Sequence, residues 1–162
     1  MKQFVSCLVV LAALGAVARG EQNQGQDNGV KAAVEAWAEA YKAGDVEKMA
    51  ALYSNSDRVT LITSTGKLIK GIEGARAMYK VDFVAAKRNK ITLNDMFVNQ
   101  LGDIAWVTFK YTADFAKTDD NSKWQLNSRG TMVLKKEDGK WKIVQEHFSP
   151  RDDIERLTPV KE

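Results

Sequence analysis

Four long strand-like stretches fill the second half of the sequence, and the two longest are too long to lie straight in a domain of this size. Lys90 to Gln100, Ile104 to Lys117, Lys123 to Glu137 and Lys140 to Ser149 are separated by Gly102-Asp103, by Asp119-Asp120-Asn121 and by Asp138-Gly139. Connections this short force antiparallel neighbours. About fourteen residues at roughly 3.3 Å each run about 46 Å, against roughly 37 Å across a globule of this length. The strands must therefore twist and bend, at bulges, so that the sheet curls into a cone. The open end of a cone is a small-molecule pocket.

The preceding segment supplies helices. Val30, Ala33, Val34, Trp37 and Tyr41 follow the spacing of an amphipathic helix that Asp27 or Asn28 can cap and Gly44 ends. Asp45 can cap a second helix with Val46, Met49, Ala50 and Tyr53 as its buried stripe, and Glu47 suits the positive end of its dipole. Val59 to Thr63 and Lys67 to Ile69 form a short strand pair around Thr65-Gly66, and a third helix runs from Ile72 to about Lys87. The expected fold class is α+β, a cone-shaped α+β barrel with three N-terminal helices packed in a strongly curved, mostly antiparallel sheet.

Period-two alternation assigns the inward faces, provided that no bulge shifts the register. Ala105, Val107, Phe109, Tyr111, Ala113 and Phe115 form one, and Leu126, Ser128, Gly130, Met132 and Leu134 form the next. In the last strand Trp141, Ile143, Gln145, His147 and Ser149 share a face, while Lys142, Val144, Glu146 and Phe148 share the other. The charges on the second set favour His147 pointing inward. Ile104 and Trp106 then point outward, and an apolar outer face suggests a homodimer through the sheet.

The first residues read as an export signal. Met1-Lys2-Gln3 is a short positive start, Phe4 to Ala18 is nearly all apolar, and Ala16-Val17-Ala18 is a small-residue cleavage pattern. Residues 1–18 are expected to be a signal peptide, 19–29 a disordered lead-in, 30–150 one domain and 151–162 a C-terminal tail. The protein is thus expected in the periplasm or secreted, with no membrane span. The only cysteine, Cys7, lies in the leader, so stability must come from the core. A net charge of +3 with interleaved signs argues against a nucleic-acid partner.

Gly44 to Tyr53, Gly71-Ile72-Glu73-Gly74-Ala75 and Gly139 to Ser149, in that order, resemble the SnoaL-like branch of the nuclear transport factor 2-like superfamily. The resemblance covers about Val30 to Pro150 and implies three helices in a curved sheet. It includes ketosteroid isomerase, polyketide cyclases, the calcium/calmodulin-dependent protein kinase II association domain and exported proteins with no known activity. In ketosteroid isomerase a catalytic aspartate follows the tyrosine matching Tyr53 by eight residues. Ungapped counting puts Leu61 there, or Ile62 with one insertion, and neither is a base.

The chemistry then rests on two groups of residues. His147, the only histidine, is the candidate general acid or base, since imidazole titrates near neutrality. Trp37, Tyr41, Tyr53, Phe83, Phe109, Tyr111, Phe115 and Met132 are the candidate lining for a small apolar or aromatic ligand. No cofactor is expected, and with one histidine and no cysteine beyond the leader, no metal site either. Three functions remain open: ligand binding without a demonstrated reaction, a cofactor-free isomerase, cyclase or hydrolase using His147, and an oligomerisation module.

Overall fold

A computed structural model of the chain describes residues 24–151, 155 and 157–160. The apolar leader, Cys7 and the cleavage after Ala18 lie outside them. Three helices, α1 (Gln24–Ala43), α2 (Val46–Leu52) and α3 (Gly71–Ala85), pack against a seven-stranded sheet. Its strands are β1 (Thr60–Ile62), β2 (Leu68–Lys70), β3 (Ala86–Leu101), β4 (Ile104–Lys117), β5 (Lys123–Glu137), β6 (Lys140–Pro150) and β7 (Leu157–Pro159). The order is β2-β1-β6-β5-β4-β3, with β7 beside β5. All pairs are antiparallel except β1 with β6. The sheet is unclosed, with β2 and β3 at its ends. No helix among the described residues is long and apolar enough to cross a membrane.

Local chemistry explains the elements. The Asp45 side chain accepts hydrogen bonds from the Glu47 and Lys48 amides at 3.1 and 3.0 Å and starts α2. Asp138 and Gly139 both have positive φ, 48° and 76°, which a two-residue hairpin between right-twisted strands requires. Strand bending is concentrated at three register shifts. Asn89 is extra in β3, two residues between Asn94 and Phe97 face one in β4, and Val144 is extra in β6.

Three boundaries differ from expectation. Helix α1 begins at Gln24, inside the stretch expected to be disordered, so Asp27 and Asn28 lie within the helix rather than capping it. A side chain at Gly29 would come within 3.2 Å of the Trp141 indole, so this early turn lies tight against β6. Strand β3 follows α3 directly at Ala86, four residues before Lys90, because buried Arg88 ties its first residues back to the helix end. Within the expected C-terminal tail, Leu157, Thr158 and Pro159 pair with Leu126, Gln125 and Trp124, and Asn127 Nδ2 donates to the Glu155 carbonyl at 3.1 Å.

The alternation is as expected from Ala105 to Ala113 in β4 and from Ser128 to Leu134 in β5, whereas Phe115 and Leu126 are only partly buried and Asn127 is buried beside Ser128. Ala105, Val107, Phe109, Tyr111 and Ala113 are buried, as are Ser128, Gly130, Met132 and Leu134. Gly130 has a steric reason: a Cβ there would sit 2.5 Å from the Phe109 ring and 2.9 Å from Phe148. In β6 the alternation breaks at Val144. Val133 pairs with Gln145 but Leu134 pairs with Ile143, so every residue after Val144 faces opposite to the simple count. His147 is exposed, not inward, and Glu146 is buried.

Candidate functional site

A cavity of about 720 Å³ lies between α1, α3, the β1–β2 hairpin and the inner face of the sheet. Trp37 is its central ring. Tyr41 stacks on it with centroids 5.3 Å apart and planes 10° from parallel, Phe148 stacks at 5.3 Å, and Tyr111 meets it edge-on at 5.7 Å. Met78, Val81 and Ala85 of α3 and Leu68 and Ile69 of β2 complete the apolar wall. The hairpin adds Thr63, Ser64, Thr65, Lys67 and Lys70.

Glu146 ends the cavity with a carboxyl that is only 3 % exposed. It is held by two phenols delivered from separate elements. Tyr53 follows α2 where the chain bridges to Ile143 of β6, and Tyr79 lies on the inner face of α3. Tyr53 Oη is 2.5 Å from Glu146 Oε2, Tyr79 Oη is 2.9 Å from Oε1, and the two phenol oxygens are 2.7 Å apart. Trp37 Nε1 donates toward both phenols, at 3.2 and 3.4 Å.

Proton counting identifies the form that this triangle favours. Three oxygen–oxygen contacts need three protons, and two phenols supply two. When Glu146 is ionised both phenols donate to it, and nothing bridges the contact between them. When Glu146 is protonated the ring closes, each group donating once and accepting once. Burial acts in the same direction, pushing the carboxyl up to about 7 against the opposing hydrogen bonds from Tyr53, Tyr79 and Trp37. Burial first, and then the charge of Glu146, pushes the Tyr53 and Tyr79 phenols well up as well.

A second polar cluster closes the α3 end. The Tyr41 hydroxyl donates to Asp82 Oδ2 at 2.8 Å, and buried Arg88 ion-pairs with the same carboxylate. Arg88 also donates to the Tyr41 oxygen at 3.3 Å and to the carbonyls of Asp82 and Ala86. Its guanidinium lies over the Tyr41 and Phe83 rings at 4.7 and 5.0 Å. Burial, then the Asp82 charge, raises the Tyr41 phenol.

Of the residues expected from sequence, Trp37, Tyr41 and Tyr111 line the cavity. Tyr53 stands behind Glu146. Phe83 packs on Tyr41 and Tyr79, Phe109 supports Phe148 edge-on at 6.2 Å, and Met132 is fully buried core opposite Glu146 in register. Phe115 is partly buried opposite Trp124, outside the lining. His147 turns away from the cavity because of the extra residue at Val144. Leu61 is core, and the carboxyl at that level of the sheet stands on its register partner in β6, Glu146. Sequence reasoning missed Glu146, Tyr79, Ser128 and Phe148 as lining residues. The available signal was Phe148, an aromatic residue on what simple counting makes a charged outer face.

The SnoaL-like domain family matches residues 30–153. A candidate scytalone dehydratase from Novosphingobium aromaticivorans superposes with a TM-score of 0.72 at 12 % identity, covering 86 % of this chain and 91 % of that one. A candidate dehydratase of the NTF2-like family from Streptomyces avermitilis gives 0.70 at 20 % identity, covering 79 % and 97 %. A nuclear transport factor 2-like superfamily protein from Salmonella enterica serovar Typhimurium gives 0.68 at 19 %, covering 76 % and 89 %. At these identities the likeness is one of fold. No curated protein matches the sequence.

The raised Glu146 group links pH to stability. Between the ordinary value of 4.5 and about 7 the folded chain keeps a proton that the unfolded chain has released, so stability falls as pH rises through this window. The expected loss is about 3 kcal/mol at 1.36 kcal/mol per pH unit. Denaturant titrations at pH 4.5 to 8 should show this fall in the native chain and not in Glu146→Gln. Parallel curves for the two proteins would reject the assignment.

Proposed function

Because the chain belongs to the SnoaL-like domain family of nuclear transport factor 2-like folds, a fold that hosts unrelated activities, we propose its function from the cavity alone: it binds a small apolar or aromatic molecule, with Glu146 as the buried polar anchor. One observation carries this reading. A cavity of about 720 Å³ floored by Trp37, Tyr111 and Phe148 is of ligand size, and it ends on a single buried carboxyl. Ala77 is exposed on α3 and lines the cavity, so Ala77→Trp should narrow the opening without disturbing the core. Calorimetric titration with 2-naphthol should give binding to the native chain that weakens at least about tenfold in this variant. Equal affinity would reject the cavity as the binding site.

One observation favours a second reading, cofactor-free proton transfer. Glu146 holds its proton near neutrality inside an apolar, substrate-sized space, which suits a general acid or base. This gives Glu146 the place that alternation gave to His147. For any substrate turned over, Glu146→Gln should lower kcat by about 100-fold or more with KM little changed, and His147→Ala should leave both intact. The reverse pattern would restore the histidine.

The chain is further proposed to be exported with removal of residues 1–18, and to form a homodimer. Phe97, Leu101, Ile104 and Trp106 support the second proposal, since they are exposed side by side on the outer face of β3 and β4. Native mass spectrometry of protein recovered from the cell exterior or periplasm tests both. It should give twice the mass of a chain beginning at Arg19, falling to one copy in Trp106→Glu. A full-length or monomeric native species would remove the corresponding proposal.

A further inference from the structure

Two hydroxyls on the cavity wall have no hydrogen-bond partner among the described residues. Tyr111 is 2 % exposed and Ser128 is fully buried, both line the cavity, and they are register partners on β4 and β5. Neither Tyr111 Oη nor Ser128 Oγ meets a hydrogen-bond partner among the described residues. Burial, then the Tyr41 hydroxyl, pushes the Tyr111 phenol well up and keeps it neutral and donating; the Tyr41 oxygen that it approaches is already engaged with Asp82 and Arg88 and does not complete a hydrogen bond to it. Unpaired buried hydroxyls are costly, so two side by side on a cavity wall call for a partner from outside the chain.

Their position relative to Glu146 gives the site its second end. Glu146 stands opposite Met132, and Ser128 lies four residues along β5, about 13 Å of strand. Phe148 occupies the row between them, opposite Gly130, and stacks on Trp37. The cavity is thus polar at both ends and aromatic in the middle. Of the cationic side chains nearby, Lys67 and Lys70 belong to the β1–β2 hairpin and Arg88 is committed to Asp82. The hydroxyl pair suits a neutral oxygen better than a carboxylate.

We propose that Tyr111 and Ser128 form a second polar subsite, which takes an uncharged hydroxyl or carbonyl oxygen of a ligand whose other polar group meets Glu146. The ligand class is then a two-ended, oxygen-bearing aromatic or apolar compound, not a plain hydrocarbon and not an organic acid. This rests on the cavity being a ligand site.

Calorimetric titration of the full chain with 2-naphthol, 2,6-dihydroxynaphthalene and 4,4′-dihydroxybiphenyl tests it. At least one diol should bind about fivefold or more tightly than 2-naphthol, the scale of one net hydrogen bond and beyond the twofold statistical gain of a symmetric ligand. Tyr111→Phe and Ser128→Ala should abolish that advantage, so that neither diol binds a variant more than the statistical twofold tighter than 2-naphthol binds the same variant, and should melt at the same or higher temperature when free, since each removes an unpaired hydroxyl. If Tyr111→Phe does not fold, Ser128→Ala decides. Binding of 2-naphthol and both diols with equal affinity, or an advantage that survives both substitutions, overturns the subsite and leaves the pocket standing. Failure of every probe to bind overturns the pocket reading and the subsite with it.

Discussion

The extra residue at Val144 sets the direction of every later side chain in β6, and the interior depends on that direction. Without it, Glu146 and Phe148 would face solvent, and His147 would replace the carboxyl. With it, Phe148 reaches Trp37 and Tyr111, and Glu146 lies within reach of Tyr53 and Tyr79. A strand that must curve around helices has to bend somewhere, and a bulge is a low-strain way to do it. Curvature and site are therefore produced by the same local event. Gly130 belongs to the same arrangement, since a side chain there would strike the Phe109 and Phe148 rings.

Two polar clusters border one apolar space, and they solve the problem of burial differently. Arg88 and Asp82 are an ion pair in which the cation is also satisfied by two carbonyls and two aromatic faces. Only Arg88 of the pair is buried, Asp82 reaching solvent, so the pair contributes little net stability over apolar packing, but removing Asp82 would leave the buried guanidinium charge uncompensated. It fixes the end of α3 to the start of β3 and to α1. Among the described residues Glu146 has no cationic partner. It meets only neutral donors, and the result is an acid that keeps its proton toward neutral pH. The first cluster is rigid scaffolding, whereas the second retains chemical freedom.

Much of the fold was legible because it follows from periodicity and turns. The stripe Val30, Val34, Trp37 on α1, the Asp45 cap and the inward faces of β4 and β5 all lie where spacing puts them. The family pattern reaches the same architecture by another route. The site was less legible, because it depends on where alternation fails. A bulge leaves no composition signal, and one extra residue exchanges Glu146 for His147. The pairing of Tyr79 with Tyr53 joins residues 26 apart in sequence, a contact that only the tertiary fold creates. The aromatic list had the right character and the wrong depth. Phe83, Phe109 and Met132 form the support behind the wall, and Phe115 falls beyond it.

All four tyrosines of the chain, Tyr41, Tyr53, Tyr79 and Tyr111, belong to this interior, and each holds its proton more tightly than a free phenol. The protein has no surface tyrosine to titrate independently. In alkali its phenols ionise only as the interior opens, so tyrosinate absorbance and loss of fold become one optical event. The hydroxyls that shape the cavity are in this sense a built-in gauge of whether the cavity exists.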